Sequence, residues 1–374
     1  MYSRSSGPYF GIATSLGLGV QQIAAGLEAI GVVDQADLTL LVVLIVVITF
    51  LATLSVVSGI GAGIKWLSNI NLSLAGFVMI SMLLLGPTLF LLENFVESLG
   101  TYLGNVLNMT FDIGTYHGET GHRWFADWTI FYWGWWIAWA PFVGVFIARI
   151  SRGRTVREFI AGVLLVPSLV GFVWFSVMGG SGLYRQLFGA GDLVDDGEIH
   201  LEGVLFRILG DLPLGGMFSV LAIILIAIFF ITSSDSGSLV VDMLASGGHP
   251  NPPTWSRVLW SALEGGMAIA LLAAGGLGSL QAASLATALP FSVILLLMCV
   301  ATLRGLRYEL RASDLAARRE RLNQATAHIT GEVWDNVPDN PKLRSYLDDR
   351  IDYRVSRSLG MLGAGTRARG RRRR

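Results

Sequence analysis

The chain alternates long apolar runs with short polar connections. Taking about 20 mostly apolar residues as one membrane crossing, eight segments qualify: 9–30, 38–60, 71–95, 127–150, 156–178, 216–236, 256–275 and 280–303. The first is the most polar, carrying Thr14, Ser15, Gln21 and Gln22. Its Gly11-x-x-x-Ser15-x-x-x-Gly19 pattern sets small residues at helical spacing, which permits close helix–helix approach and predicts a helix buried among others. Between the third and fourth runs, Phe95 to Leu107 has apolar residues at 95, 96, 99, 103, 106 and 107, the period of an amphipathic surface helix. After Arg304 the apolar runs stop. Tyr308 to Asn323 reads as a charged surface helix, Gly331 to Pro341 as turn-rich, and Arg367 to Arg374 as an arginine run.

The connections alternate in charge. Lys65, then Arg149, Arg152, Arg154 and Arg157, then Arg257, then Arg304, Arg307 and Arg311 fall on one side. Asp34, Asp37, Asp192, Asp195, Asp196, Glu198 and Glu202 fall on the other. The positive-inside rule then places both termini in the cytoplasm, as an even number of crossings requires.

Composition agrees. Of 374 residues 53% are hydrophobic and 14% charged, with mean hydropathy +0.59, whereas soluble proteins carry about a quarter charged residues. The pattern predicts an all-α polytopic protein of the plasma membrane. Net formal charge is zero, but from Arg304 onward 17 Lys/Arg face 9 Asp/Glu, so the tail is +8 and the remainder −8. A basic tail behind an apolar body is not a nucleic-acid-binding composition. It suits either anionic lipid, at about 1 kcal/mol per basic residue, or a solvated end. Cys299 is the single cysteine, which excludes an intrachain disulfide. Met1 to Phe10 lacks the charged start and apolar core of a secretory signal, which says little in a multi-span protein.

Catalytic patterns of soluble enzymes are absent: no HExxH, G-x-S-x-G or phosphate-binding loop occurs. Ser181, within Gly179-Gly180-Ser181-Gly182, reads as part of a loop after the fifth run, with no base near it. His117 and His122 beside Glu119 read as an exposed polar loop, not a metal site. The expectation is a protein that is not an enzyme and holds no cofactor beyond a coupling ion.

The richest stretch is Asp127 to Trp139, with tryptophan at 128, 133, 135, 136 and 139 and Tyr132 among them. At about 100° per residue Trp135 and Trp139 share a helix face, with Trp136 beside them. Three indoles on one face can form part of a box whose π-surfaces attract a cation unable to hydrogen-bond, such as a quaternary ammonium. The alternative is an interfacial belt. Trp139 lies about 16 Å along the helix from Trp128, near mid-bilayer and too deep for a belt. Trp128 and Tyr132 remain suited to one.

Two further polar features interrupt apolar runs. Thr232-Ser233-Ser234-Asp235-Ser236 reads as the end of the sixth run. Hydroxyls at 232 and 233, with a main-chain carbonyl near Phe229, are hard oxygen donors of the kind sodium prefers; an ordinary capped helix end is the other reading. Glu264, before Gly265 and Gly266, is either a proton carrier or an inter-helix hydrogen-bond partner.

Trp128-Thr129-x-Phe131-Tyr132-Trp133-x-Trp135-Trp136, then Pro141-Phe142-Val143-Gly144 and Ala148-Arg149-Ile150-Ser151-Arg152-Gly153-Arg154, resembles the signature of the betaine/carnitine/choline transporter (BCCT) family. Ala13 to Gly19, Val57 to Gly61 with Leu67-Ser68-Asn69, and Ile231 to Ser236 match in order, so the resemblance covers about Phe10 to Leu306. It implies a secondary transporter for a trimethylammonium solute such as glycine betaine or choline, of LeuT-like inverted-repeat fold with the substrate near the bilayer midplane. Carried over by position, Trp135, Trp136 and Trp139, with Trp133 adjacent, match the aromatic substrate site. Phe229, Thr232 and Ser233 match one sodium site, and Phe142 lies near a second. Protons or substrate exchange replace sodium in other members, and a trimer is what the family suggests.

On that reading 1–95 holds the last three helices of the first repeat, 96–126 an amphipathic helix and external loop, 127–303 a complete second repeat, and 304–374 a cytoplasmic basic tail. Members usually have about twelve spans, so the expectation is an N-terminally truncated form lacking the facing wall of the substrate box. The alternative is a non-transporting membrane fragment or scaffold associating with full-length subunits.

Overall fold

The computed structural model describes residues 6–58, 61–194, 199–249, 252–336, 341–342 and 344–354, and no strand occurs among them. The chain forms two compact units, Met1–Leu295 and Leu296–Arg374. Helices run in the order α1 (Ser6–Ala29), α2 (Leu38–Ser58), α3 (Gly61–Leu85), α4 (Thr88–Phe111), α5 (Gly118–Trp124), α6 (Phe131–Ile150), α7 (Val156–Ile160), α8 (Val166–Phe188), α9 (Leu201–Gly210), α10 (Gly215–Ala245) and α11 (Thr254–Asn336). Wide π-helical turns join α5 to α6 (Phe125–Ile130) and α7 to α8 (Ala161–Leu165). Six helical stretches among the described residues are long and apolar enough to cross a membrane. The last is interrupted at Gly275 and Gly276, whose φ of 59° at Gly276 suits a residue without a Cβ. The 20-residue α6 is a further apolar helix. This is an all-α, multi-pass membrane protein.

The first unit is built around α1, which packs against α2, α6, α9 and α10. Small residues permit this. A Cβ at Gly19 would lie 1.8 Å from the Phe230 ring, and one at Gly26 would lie 2.4 Å from Phe206. Leu16, Val20 and Ile23 of α1 therefore reach the same buried core as Ile45, Met82, Phe218 and Leu280. Thr14 Oγ1 donates to the Leu280 carbonyl (2.8 Å) and accepts from Ser284 (2.9 Å), so the hydroxyls of α1 are used inside the core. Around it, α2 keeps Val46, Phe50, Leu54 and Val57 exposed, as a lipid-facing helix can.

Several sequence expectations need correction. The third run does not form one helix over 71–95: α3 ends at Leu85, and the chain turns at Gly86-Pro87 before α4 begins at Thr88. A proline at this position cannot donate to the preceding turn, so the break overrides continuous hydropathy. Thr88 Oγ1 donates to the Leu83 carbonyl (2.7 Å) across it. The amphipathic helix is accordingly 24 residues long, not 95–107, and Glu93 and Asn94 lie in its early turns. The fifth run continues to Phe188, and Ser181 is not in a loop; it is buried in α8, donating to the Val177 carbonyl at 2.7 Å. The sixth continues to Ala245, so Thr232 to Ser236 lies inside a helix and not at its end. The charged helix extends to Asn336, into the stretch read as turn-rich. His117 and His122 sit on a short 3-10 turn and on α5, both exposed. Asp195, Asp196, Glu198 and Arg367 to Arg374 lie outside the described residues.

One polar clamp fixes the end of α8. Arg185 meets both carboxylate oxygens of Asp192 at 2.7 Å, bonds Asp211 and donates to the Arg207 carbonyl at 3.0 Å. Arg207 in turn donates to the Asp192 carbonyl. The Arg185 hydrogen bond holds the Asp192 carboxyl below the usual carboxylate range.

Candidate functional site

Helix α6 carries the tryptophan run, and its two faces have different surroundings. Trp135 and Trp139 turn inward against α1. Both indole N–H groups donate to Ser15 Oγ, each at 3.0 Å, and Trp139 also reaches the Gly11 carbonyl at 3.2 Å. Ser15 Oγ donates its one proton to that same carbonyl (2.9 Å), so a single hydroxyl uses its donor and both acceptor positions. Gly11 admits the approach: a Cβ there would lie 3.2 Å from Ala138 and 3.3 Å from the Trp139 ring. The small-residue face of α1 thus meets the aromatic face of α6. Trp133 and Trp136 point away, 68% and 70% exposed. Of the four tryptophans singled out in the sequence, the structure brings together Trp135 and Trp139.

Aromatic rings cluster at the start of the same helix. Phe131 and Trp135 stack with centroids 5.8 Å apart and planes 10° apart, and Trp128 and Tyr132 stack at 5.5 Å and 7°. These four rings and Phe230 of α10 line a cavity of about 610 Å³. Its polar lining comes from Gln22, Gln281, Asp127 and Glu202. The π-helical turn Phe125–Ile130 enters this wall directly, and such turns are frequent at functional sites. Rings present negative π-faces, the two carboxylates add negative potential, and the two glutamines offer both donors and acceptors. The arrangement suits a cationic, weakly hydrated group of moderate size. Nothing in the sequence marked Gln22, Gln281 and Glu202 as cavity residues, because each lies on a different element and nothing local joins them to the tryptophans.

The hydroxyl cluster of α10 is arranged differently from its sequence reading. Thr232 Oγ1 lies 2.9 Å from the carbonyls of both Ile228 and Phe229, so the Phe229 carbonyl already has a partner within an unbroken helix. Thr232 and Ser233 are half-buried, and the Phe229 ring is exposed and perpendicular to Phe230. Phe142 falls on α6 next to Pro141, and its side chain lies outside the described residues.

Comparison with known proteins matches residues 6–311 to the BCCT, betaine/carnitine/choline family transporter, description. An uncharacterized transporter of Mycobacterium tuberculosis is 50% identical over 340 residues, covering 87% of this chain and 56% of the relative. The glycine betaine transporter OpuD of Bacillus subtilis is 43% identical over 83% of this chain and 60% of its own length. A glycine betaine/proline/choline transporter of Vibrio parahaemolyticus is 44% identical over 83% of this chain and 55% of its own. The chain therefore spans little more than half the length of these relatives. An all-helical fold with apolar crossings, the aromatic helix and these matches agree: the chain belongs to the betaine/carnitine/choline transporter family.

Proposed function

We propose that the chain takes part in secondary transport of a quaternary ammonium solute such as glycine betaine or choline. The observation that carries this is the cavity walled by Trp128, Phe131, Tyr132, Trp135 and Phe230, with carboxylates and amides on its rim. A trimethylammonium group has no N–H to donate, so hydrogen-bond acceptors give it little; ring faces attract it by about 0.5–2 kcal/mol each. Glycine betaine also carries a carboxylate, for which Gln22 and Gln281 offer amide donors. Trp136 and Trp133 offer a second aromatic surface on the opposite side of α6, and Trp139 stiffens the helix between the two through Ser15.

Transport against a gradient needs a second flux down its own gradient, either a coupled ion or an exchanged solute. Thr232 and Ser233 with the Phe229 carbonyl remain the proposed sodium-binding oxygens, with Phe142 near a second position, and a proton is the other coupling ion the reading admits. Ion entry would require Thr232 to exchange its bonds within α10 for a bond to the ion. The basic charge of the connections supports cytoplasmic termini, and the family resemblance supports assembly as a trimer. Uptake of labelled glycine betaine and choline, measured in cells lacking their own uptake systems and expressing this chain, tests the proposal. Saturable, gradient-dependent accumulation is expected; absence of accumulation of either solute, with the protein present in the membrane, contradicts it.

A further inference from the structure

Away from the aromatic cavity, α10 and the first part of α11 bury an acidic side chain in apolar surroundings. Glu264 is fully buried. Its Oε2 lies 3.1 Å from Ser234 Oγ and 3.0 Å from Ser238 Oγ, while Oε1 has no hydrogen-bond partner. We propose that Glu264 is a proton-binding site, a carboxylic acid whose Oε2–H donates to Ser238 Oγ.

The hydroxyl protons available decide which group donates to which. Ser238 Oγ also sits 2.8 Å from the Ser234 carbonyl, one turn back in α10. A carbonyl cannot donate, so the single Ser238 hydroxyl proton fills that shorter contact. The contact between Ser238 Oγ and Glu264 Oε2 then takes its proton from the carboxyl. Ser234 Oγ–H donates to Oε2, and a closed chain results: Ser234 to Glu264, Glu264 to Ser238, Ser238 to the Ser234 carbonyl.

The surrounding charges point the same way. From α10 the ionisable group facing Glu264 is Asp235, itself an acid, bonded to Ser55 (2.7 Å) and to Arg257 (3.5 Å). Arg257, seven residues before Glu264 on α11, is about 10 Å away along the axis. Helix α2 carries no ionisable residue and contributes only hydroxyls here, Thr53 to Ser261 at 3.0 Å and Thr49 against Gly265. An ionised carboxylate with one oxygen unpartnered, in apolar surroundings and next to another acid, is strongly disfavoured. Binding a proton removes that charge and supplies the missing donor. Loss of the proton would put a bare charge between α10 and α11, so occupancy biases how these two helices pack. The site shares α10 with the Thr232–Ser233 oxygens but does not depend on the solute reading.

Infrared difference spectroscopy of the purified chain in lipid vesicles tests this. At neutral pH the wild type is expected to show the C=O stretch of a protonated carboxyl that Glu264→Gln removes and Asp235→Asn retains. Ser238→Ala, which leaves the rest of the packing in place, is expected to shift that band upward in frequency by removing its acceptor. A wild-type spectrum without a band sensitive to position 264 overturns the proposal, as does a band unmoved by Ser238→Ala.

Discussion

Two places in the first unit bury polar groups between apolar helices, and they do so differently. At the contact of α1 with α6, Ser15 accepts from two indoles and donates to one carbonyl, leaving nothing unmatched. At the contact of α10 with α11, Glu264 has one oxygen bonded to two serines and the other bonded to nothing. A satisfied neutral network adds rigidity and specifies one packing. A buried acid with spare capacity is costly to keep and responds to a bound ligand. The first contact is thus a scaffold that orients aromatic surface, and the second is a place where an ion can change the energy of helix packing.

Mutations that act on one contact and spare the other sharpen this contrast. The largest effect is expected from Trp135→Ala, which removes a half-buried ring, the Phe131 stack and one wall of the cavity. Large-to-small aromatic changes in cores cost about 3–5 kcal/mol, and partial exposure places this one at the lower end. Thermal unfolding in detergent and the KM for uptake should both move. Ser15→Ala comes next: the Trp135 N–H loses its acceptor while Trp139 keeps the Gly11 carbonyl, a loss of about 1–3 kcal/mol. Glu264→Gln is expected to cost about 1 kcal/mol: its amide N–H replaces the carboxyl proton toward Ser238, but the amide nitrogen cannot accept from Ser234 as Oε2 does. If chemical denaturation shows Glu264→Gln to be as damaging as Ser15→Ala, the two contacts are alike and the contrast fails. Trp133→Phe, on the exposed face, should stay within about 0.5 kcal/mol of the parent in the same denaturation measurement.

The smallest effect concerns pH. Asp192 is held below its ordinary range by Arg185, so its contribution is present above the unfolded-state value. It is lost as pH falls through the lowered folded-state value. Acidification below the usual carboxylate range should therefore raise amide exchange around Gly189 to Leu193, and Asp192→Asn should abolish that dependence. Because Asp192 is exposed, only local loosening is expected.

Much of this fold was legible because membrane helices announce themselves by hydropathy. The small-residue face of α1 and the shared face of Trp135 and Trp139 follow from helical period alone. The interruption at Gly86-Pro87 was written in the chain, but an unbroken apolar run on both sides masked it. Gly179 to Gly182 misled in the opposite direction: glycines that would mark a loop in water sit inside α8, where one of them lets Leu91 and Asn94 approach Gly180 closely. The site was legible only in part. Ser15 stood out as small, whereas its role as a shared acceptor depends on α6, 120 residues away. Cavity residues from α1, α9 and α11 meet through tertiary packing that no local spacing encodes. The free Phe229 carbonyl expected at a helix end is absent because α10 continues through it.

The claim at the centre is that aromatic faces select the solute by its positive charge. Competition for labelled choline uptake between unlabelled choline and its neutral carbon isostere, 3,3-dimethylbutanol, tests it most directly. Shape and hydroxyl are the same in both; only the charge differs. Cation–π attraction predicts at least about tenfold weaker inhibition by the isostere, corresponding to about 1.4 kcal/mol. Equal inhibition by the two would contradict the account.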